Sequence, residues 1–276
     1  MTEPWRFAHL SDTHVQPENV ERMRRALALA AERGADFAVV TGDLNKDALR
    51  VDEATARARL GLYASEAAKS SVPVKSAPGN HDIFGIERHL SLVPTTNPVY
   101  GRGLYEETLG PRYYAFNRGP VHFIVLDTLG VDDLWYYGHL DPDVLGWIKN
   151  ELAHVPPGTT VVTAGHVPLR TAGLWDSFET EGPGRTLMTV KGETFFRHVV
   201  RNAPALLELL KPYHFTLALQ GHTHQGERLR LFDGGDTRFH TAPSVDLTPG
   251  LPSGLFIYTV RGGEIDDGAL LPLDPP

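Results

Sequence analysis

Ala35-Asp36-Phe37-Ala38-Val39-Val40 is a short apolar run that stops at Thr41-Gly42-Asp43. A continuous run of this length reads as a buried parallel strand. Upstream, Asn19 to Arg33 carries Val20, Met23, Ala26, Leu27 and Ala30 at helical spacing, with Gly34 placed to end the helix at C′. Before that helix, Trp5-Arg6-Phe7-Ala8-His9-Leu10 alternates like a strand and ends at Ser11-Asp12-Thr13-His14. Downstream, an Ala- and Arg-rich helix from about Asp52 to Lys69 leads into Val72 to Ala77, which Pro78-Gly79-Asn80-His81-Asp82 breaks. This β-α-β-α-β alternation predicts a parallel sheet with right-handed crossovers.

Further along, Gly85 to Pro111 is irregular and reads as a surface excursion able to carry substrate contacts. Arg112 to Asn117 and Pro120 to Asp127 predict a hairpin around Arg118-Gly119. Asp141 is placed to cap a helix with Pro142 at N1 and a buried stripe of Leu145, Ile148 and Leu152. Thr159 to Ala164 is a strand ending at Gly165-His166. Pro168 to Gly192 lacks periodicity, and its length marks it as a lid, an oligomer contact or a loop without fixed structure. A helix from about Pro204 to Leu210 precedes the strand Phe215 to Leu219, which ends at Gly221-His222-Thr223-His224. Thr237 to Thr241 and Leu255 to Val260, with a hairpin at Gly262-Gly263, are expected to complete a second sheet. One domain over residues 1–276, with excursions at 85–111 and 168–192, accommodates the whole pattern.

Composition removes several function classes. The formal net charge of −8 and the lack of a basic stripe disfavour nucleic-acid binding. The densest basic group (Arg22, Arg24, Arg25 and Arg33) falls on a helix and reads as a solvated face. No apolar run is long enough to span a membrane, and no signal peptide is visible, so a cytoplasmic address is expected. With no cysteine, a metal site must draw on His, Asp, Glu or Asn.

Asp12/His14, Asp43, Asn80/His81, His166 and His222/His224 each follow a predicted strand directly. In open α/β folds the carboxyl ends of such strands converge on one crevice. Strand side chains alternate, so Asp12-x-His14, and His222-x-His224 if the backbone stays extended, can aim two donors the same way. Asp12, His14 and His224 are assigned to one ion, and Asn80, His166 and His222 to a second. Asp43 bridges both, because a carboxylate has two oxygens. A pair of ions clamps the attacking and leaving oxygens of a phosphoryl displacement. With Asp12 and Asp43 as the only charged ligands, the centre stays positive and attracts a phosphate ester.

These five blocks, in this order from about Phe7 to Val260, resemble the calcineurin-like metallophosphoesterase superfamily. The resemblance implies an α/β fold, specifically a four-layer αββα sandwich of the metallo-dependent phosphatase type. It also implies a dinuclear centre and phosphoester hydrolysis. In that superfamily the His of the Asn-His pair lies beside the metals, so His81 would touch the phosphate and assist the leaving oxygen.

Departures narrow the choice. Purple acid phosphatases have a Tyr ligand three residues after the Gly-Asp carboxylate, where this chain has Lys46. Ser/Thr protein phosphatases carry Gly-Asp-x-Val-Asp-Arg-Gly and Asn-His-Glu, against Gly42-Asp43-Leu44-Asn45-Lys46-Asp47 and Asn80-His81-Asp82 here. Double-strand-break nucleases add capping domains and a basic surface. What remains is similar to the cyclic-nucleotide and glycerophosphodiester phosphodiesterase branch, which shares the Leu10-Ser11-Asp12-x-His14 opening.

The expected activity is therefore hydrolysis of small phosphodiesters by a metal-bridging hydroxide attacking phosphorus. The alternatives are a phosphomonoesterase of broad specificity and, less favoured, a nuclease. Mn, Fe, Zn, Co or Ni all suit the ligand set. Asp82 is a candidate to orient His81 or to pin the turn, and Asn45 to reach substrate or to cap the turn. Asp127, His9, His122, His139 and His240 read as structural. The expected partner is a small phosphoester, with no membrane association, and a homodimer is allowed.

Overall fold

Phe7 and Phe37 on one sheet meet Phe123 on another. The Phe7 and Phe123 centroids are 5.4 Å apart at 85°, and Phe7 stacks on Phe37 at 5.6 Å. Each such buried ring contributes about 1.5–3 kcal/mol relative to exposure. The computed structural model describes residues 3–87, 89–132, 134–174, 182–231 and 236–274.

Alternation along the strands explains the layering. Phe7, Phe37 and Val39 point into the layer between the sheets, while Ala8, Leu10, Ala38 and Val40 point to the opposite face. That outer face packs on the helices Val20–Glu32 and Glu53–Lys69, through Met23, Leu27, Leu60 and Tyr63 among others. In the second sheet Phe123, Val125, Val162 and Leu217 face inward. Ile124, Val161 and Ala218 face outward onto the helices Pro142–Leu152 and Ala203–Leu210. Helices, sheet, sheet, helices: the fold is the four-layer αββα sandwich.

The first sheet pairs Trp5–Leu10, Phe37–Thr41 and Val74–Ala77 in parallel, with Gly254–Arg261 antiparallel beside Trp5–Leu10. The second sheet sets Arg238–Thr241, His214–Gln220, Thr160–Ala164 and Val121–Val125 in parallel. Antiparallel strands Glu227–Arg230 and Tyr114–Arg118 form its edges. Every parallel strand therefore delivers its carboxyl end to the same side of its sheet.

Several expectations are corrected. Leu255 to Val260 does not complete the second sheet. It joins the first, because Phe256, Tyr258 and Val260 alternate into the inter-sheet core beside Phe7. Asp141 holds the cap position of its helix, but its carboxylate pairs with Arg102 at 3.0 Å instead of a helix N–H. The buried stripe of that helix is Val144, Ile148 and Leu152, with Leu145 only partly buried. The excursion at 85–111 contains a helix, Gly103–Leu109, which buries Leu104 and Tyr105. In the 168–192 excursion, Leu187–Val190 pairs with Glu193–Phe196 as a hairpin, and residues 175–181 lie outside the described residues. Among the described residues no helix is long and apolar enough to cross a membrane.

Candidate metal centre

The loops after the first two strands run on together. Asp12 N–H donates to the Gly42 carbonyl at 3.1 Å, and His14 N–H to that of Asp43 at 2.9 Å. The two sheets are tied to each other at the same level. His222 N–H donates to Asp12 Oδ2 at 3.1 Å, and His166 Nδ1 donates to the Thr41 carbonyl at 2.7 Å. The turn at Gly79 presses on the Asp43 loop so closely that an added Cβ would lie 2.0 Å from the Asp43 amide nitrogen.

The donors do not converge through extended backbone, as strand alternation would require. Asp12, His14, Asp43, His222 and His224 all have positive φ, between 42° and 74°. Non-glycine residues in that left-handed region cost roughly 1–3 kcal/mol each and persist where surrounding structure enforces them. The three strand ends that carry these residues turn sharply left-handed into the crevice, whereas Asn80 enters it from a 3-10 turn after Val74–Ala77.

Two groups of donor atoms result, each within 4.8 Å of one another, and Asp43 belongs to both. In the first, His224 Nε2 is 3.2 Å from Asp12 Oδ1 and 3.3 Å from His14 Nε2, and His14 Nε2 is 3.8 Å from Asp43 Oδ2. In the second, His166 Nε2 is 3.2 Å from Asp43 Oδ1, 2.9 Å from Asn80 Oδ1 and 3.2 Å from His222 Nδ1. Donors held at about 2.1 Å by one ion stand roughly 3–4 Å apart, which matches both groups. Asp12 Oδ1 is buried without a hydrogen bond, an arrangement that a cation relieves. Because His166 Nδ1 donates to a carbonyl, its Nε2 lone pair is turned to the second group.

Electrostatics in the metal-free chain follow the same geometry. Burial pushes the Asp43 carboxyl up, but His166, His81 and His14 outweigh it and hold it well below its ordinary value. Asp12 is likewise lowered, burial being more than offset by His224 and His166. Burial drives His14 down to about 4. It also lowers His222, helped by His198 and His166. Burial opposes the His166 imidazolium, yet Asp43 pushes it up to about 9. Protonation of His166 and metal binding at its Nε2 therefore compete for the same site beside Asp43.

His81 stands beside these donors. Its Nδ1 donates to the Lys46 carbonyl at 2.8 Å, and its Nε2 lies 4.0 Å from Asp43 Oδ2. Its ring meets His14 edge-on at 4.8 Å. Asp82 accepts from the amides of Gly79 (2.7 Å), Leu44 (3.0 Å) and Asn45 (3.2 Å), so it ties the Gly42-Asp43 loop to the Asn80 turn. Burial and the Asp43 charge push it up to about 6 against those hydrogen bonds. The Asn45 amide, fully buried, donates to the His81 carbonyl and to Asp82 and accepts from Asp47 N–H. Lys46 turns to Asp246 at 3.1 Å. Asp127 is buried against Arg102 (2.6 Å) and Arg112 (2.8 Å).

Asp43, Asn80, His81, His222 and His224 line a cleft of about 610 Å³, and four more of its lining residues were missed by sequence reasoning: Trp135, Tyr136, Arg197 and His198. His198 Nδ1 lies 2.6 Å from His222 Nε2. No strand-end motif flags these residues, because a hairpin and a loop supply them.

An αββα sandwich with a shared carboxylate between two N/O donor groups defines a class of dimetal phosphoesterases. The chain matches the calcineurin-like phosphoesterase family over residues 6–226 and belongs to that family, which makes it a metal-dependent phosphoester hydrolase by class, with a dinuclear centre. No curated protein sequence matches it. Among solved structures it is similar to a dimetal phosphatase from Danio rerio, at 14% identity over 98% of each chain and a TM-score of 0.65. It is also similar to GAP50, described as the anchor in the inner membrane complex of Plasmodium, at 14% identity over 98% of this chain and 85% of that one, with a TM-score of 0.62.

Proposed function

We propose that this chain hydrolyses small phosphodiesters of the cyclic-nucleotide or glycerophosphodiester type. Asp12, His14, Asp43 and His224 would hold one ion, and Asp43, Asn80, His166 and His222 the other. The observation that supports the two-ion reading is the split of Asp43, with one oxygen turned to His166 and the other to His14. When bound, two ions supply an acidified water and Lewis-acid stabilisation of the phosphoryl oxygens. The chain's own contribution is then orientation and proton delivery. His81 is 29% exposed at its side chain, and with Nδ1 fixed on Lys46 its Nε2 carries the exchangeable proton position toward the cleft. It would donate to the departing alkoxide, which a diester needs on whichever side leaves.

The Leu10-Ser11-Asp12-x-His14 opening, similar to that of the phosphodiesterase branch, supports the diester reading over a monoesterase. The test is a panel of cyclic AMP, a glycerophosphodiester, and aryl mono- and diesters, run on the metal-loaded protein and on His81→Ala. Diester turnover above monoester turnover, with a loss of about 100-fold in kcat and retained metal in His81→Ala, is the expected pattern. Faster monoester hydrolysis would reverse the substrate assignment. A fully loaded protein inert on every ester would place it with non-enzymatic users of this fold.

A further inference from the structure

Arg197 is only 6% exposed, and its Nε is buried without a hydrogen bond. Its guanidinium lies over two aromatic rings, 4.1 Å from the Tyr136 centroid and 4.9 Å from that of Trp135. The one hydrogen bond its guanidinium makes among the described residues is from Nη1 to the Arg185 carbonyl, at the long distance of 3.5 Å. No carboxylate among the described residues pairs with it. Of the acids lining the cleft, Glu87 is engaged with Arg50 at 3.5 Å and Asp43 belongs to the donor groups.

A guanidinium keeps its charge in a protein, and removing it from water costs several kcal/mol. Two aromatic faces offset part of that cost, and no charged partner among the described residues offsets the rest. The main chain nevertheless fixes the residue in place: Arg197 N–H donates to the Thr186 carbonyl at 2.9 Å, and its carbonyl accepts from Gly138 N–H at 2.8 Å. The Tyr136 ring under the guanidinium sits edge-on to His222 at 6.0 Å, so the cation is one ring away from the second donor group. Both line the same cleft.

We propose that Arg197 recognises a second anionic group on the substrate, a phosphoryl or carboxylate group a few bonds from the phosphorus under attack. This assignment rests on reading the centre as a phosphoester site. The two metals would take the scissile phosphate, and Arg197 would select substrates whose far end carries negative charge. It adds a specificity-determining residue to the lining of the cleft that His81 also lines, and among the proposed diesters it favours glycerophosphodiesters with an anionic head group over cyclic nucleotides, which carry no second anion.

The experiment measures binding, so it does not depend on turnover. Manganese-loaded protein is titrated calorimetrically with propylphosphonate, with α,ω-alkane bisphosphonates of increasing length, and with the matching ω-carboxyalkylphosphonates. At one chain length the second anion should tighten binding by about tenfold, the scale of one added charge-assisted pair. The phosphonate and carboxylate series then tell which anion is preferred. In Arg197→Gln the advantage should fall to about twofold or less, with Arg197→Lys retaining part of it. Circular dichroism and metal content verify that each variant is folded and loaded. If Arg197→Gln does not fold, the wild-type length series and Arg197→Lys decide. Equal affinity at every length overturns the proposal, as does an advantage that survives intact in Arg197→Gln. A protein that binds with this preference but hydrolyses no phosphodiester would refute the proposed reaction and leave Arg197's role standing.

Discussion

A Cβ added at Gly221 would lie 1.8 Å from Ser11 Oγ and 2.9 Å from Asp12 Oδ2. The end of a second-sheet strand is therefore seated directly on the end of a first-sheet strand, with Ser11 Oγ itself held by the Thr41 carbonyl at 3.0 Å. Gly221→Ala should lower the unfolding free energy by about 1–3 kcal/mol, the usual cost of overpacking. It should also weaken metal binding, because the shift displaces His222, whose amide rests on Asp12 Oδ2 at 3.1 Å. Urea unfolding of the metal-free protein and metal analysis measure the two effects. Unchanged stability would mean that the sheets are free to separate at this point.

Asp43 is the residue on which both donor groups depend. Asp43→Ala should therefore remove most of both ions, not one of them, as read by elemental analysis after desalting. Removing the carboxylate also takes away the partner that pushes His166 up to about 9, so in the metal-free variant the His166 ring should titrate at a lower pH than in the wild type, as read by NMR. Retention of two ions per chain would disprove the bridging assignment.

At His224, φ is 60°, a conformation that glycine adopts without the steric penalty of a Cβ. His224→Ala and His224→Gly delete the same imidazole and should lose metal equally. In chemical denaturation of the metal-free proteins, however, the glycine variant should be the more stable by about 1 kcal/mol. At an ordinary helical or extended position the order would be reversed. Alanine proving the more stable would show that the backbone relaxes out of the left-handed region once the ligand is gone.

The sequence made the order of elements legible because period-2 and period-3.6 patterns are local, and Met23, Leu27, Phe37 and Val39 obey them. It also marked the strand ends, since Asp43, Asn80, His166 and His222 each follow a glycine directly. Which sheet a strand joins is not local. Gly254–Arg261 alternates equally well beside either sheet, and only pairing with Trp5–Leu10 decides it. The left-handed turns were hidden because Asp and His, unlike Gly, do not announce positive φ. Gly103–Leu109 was hidden because it starts on glycine and buries only two side chains. Arg197 and His198 fall outside every motif, and reach the cleft through tertiary packing alone.

His240 offers a pH test away from the donor groups. It is 2% exposed, with Nδ1 3.0 Å from the Tyr258 hydroxyl. Burial, with Arg238 and Arg228 nearby, pushes it from 6.5 down to about 4. Between those values the unfolded chain binds a proton that the native protein refuses, so acidification favours unfolding. The stability this residue contributes is thus complete above pH 6.5 and falls as pH drops toward 4, with a slope of up to about 1.4 kcal/mol per pH unit. His240→Gln keeps a polar group near Tyr258 but does not titrate. Its unfolding free energy, measured in chelator to exclude metal loss, should fall less steeply than the wild type's by about 1 kcal/mol per pH unit across that window. Parallel profiles would mean that His240 takes up its proton inside the folded protein, with the Tyr258 hydroxyl turning its oxygen toward the ring.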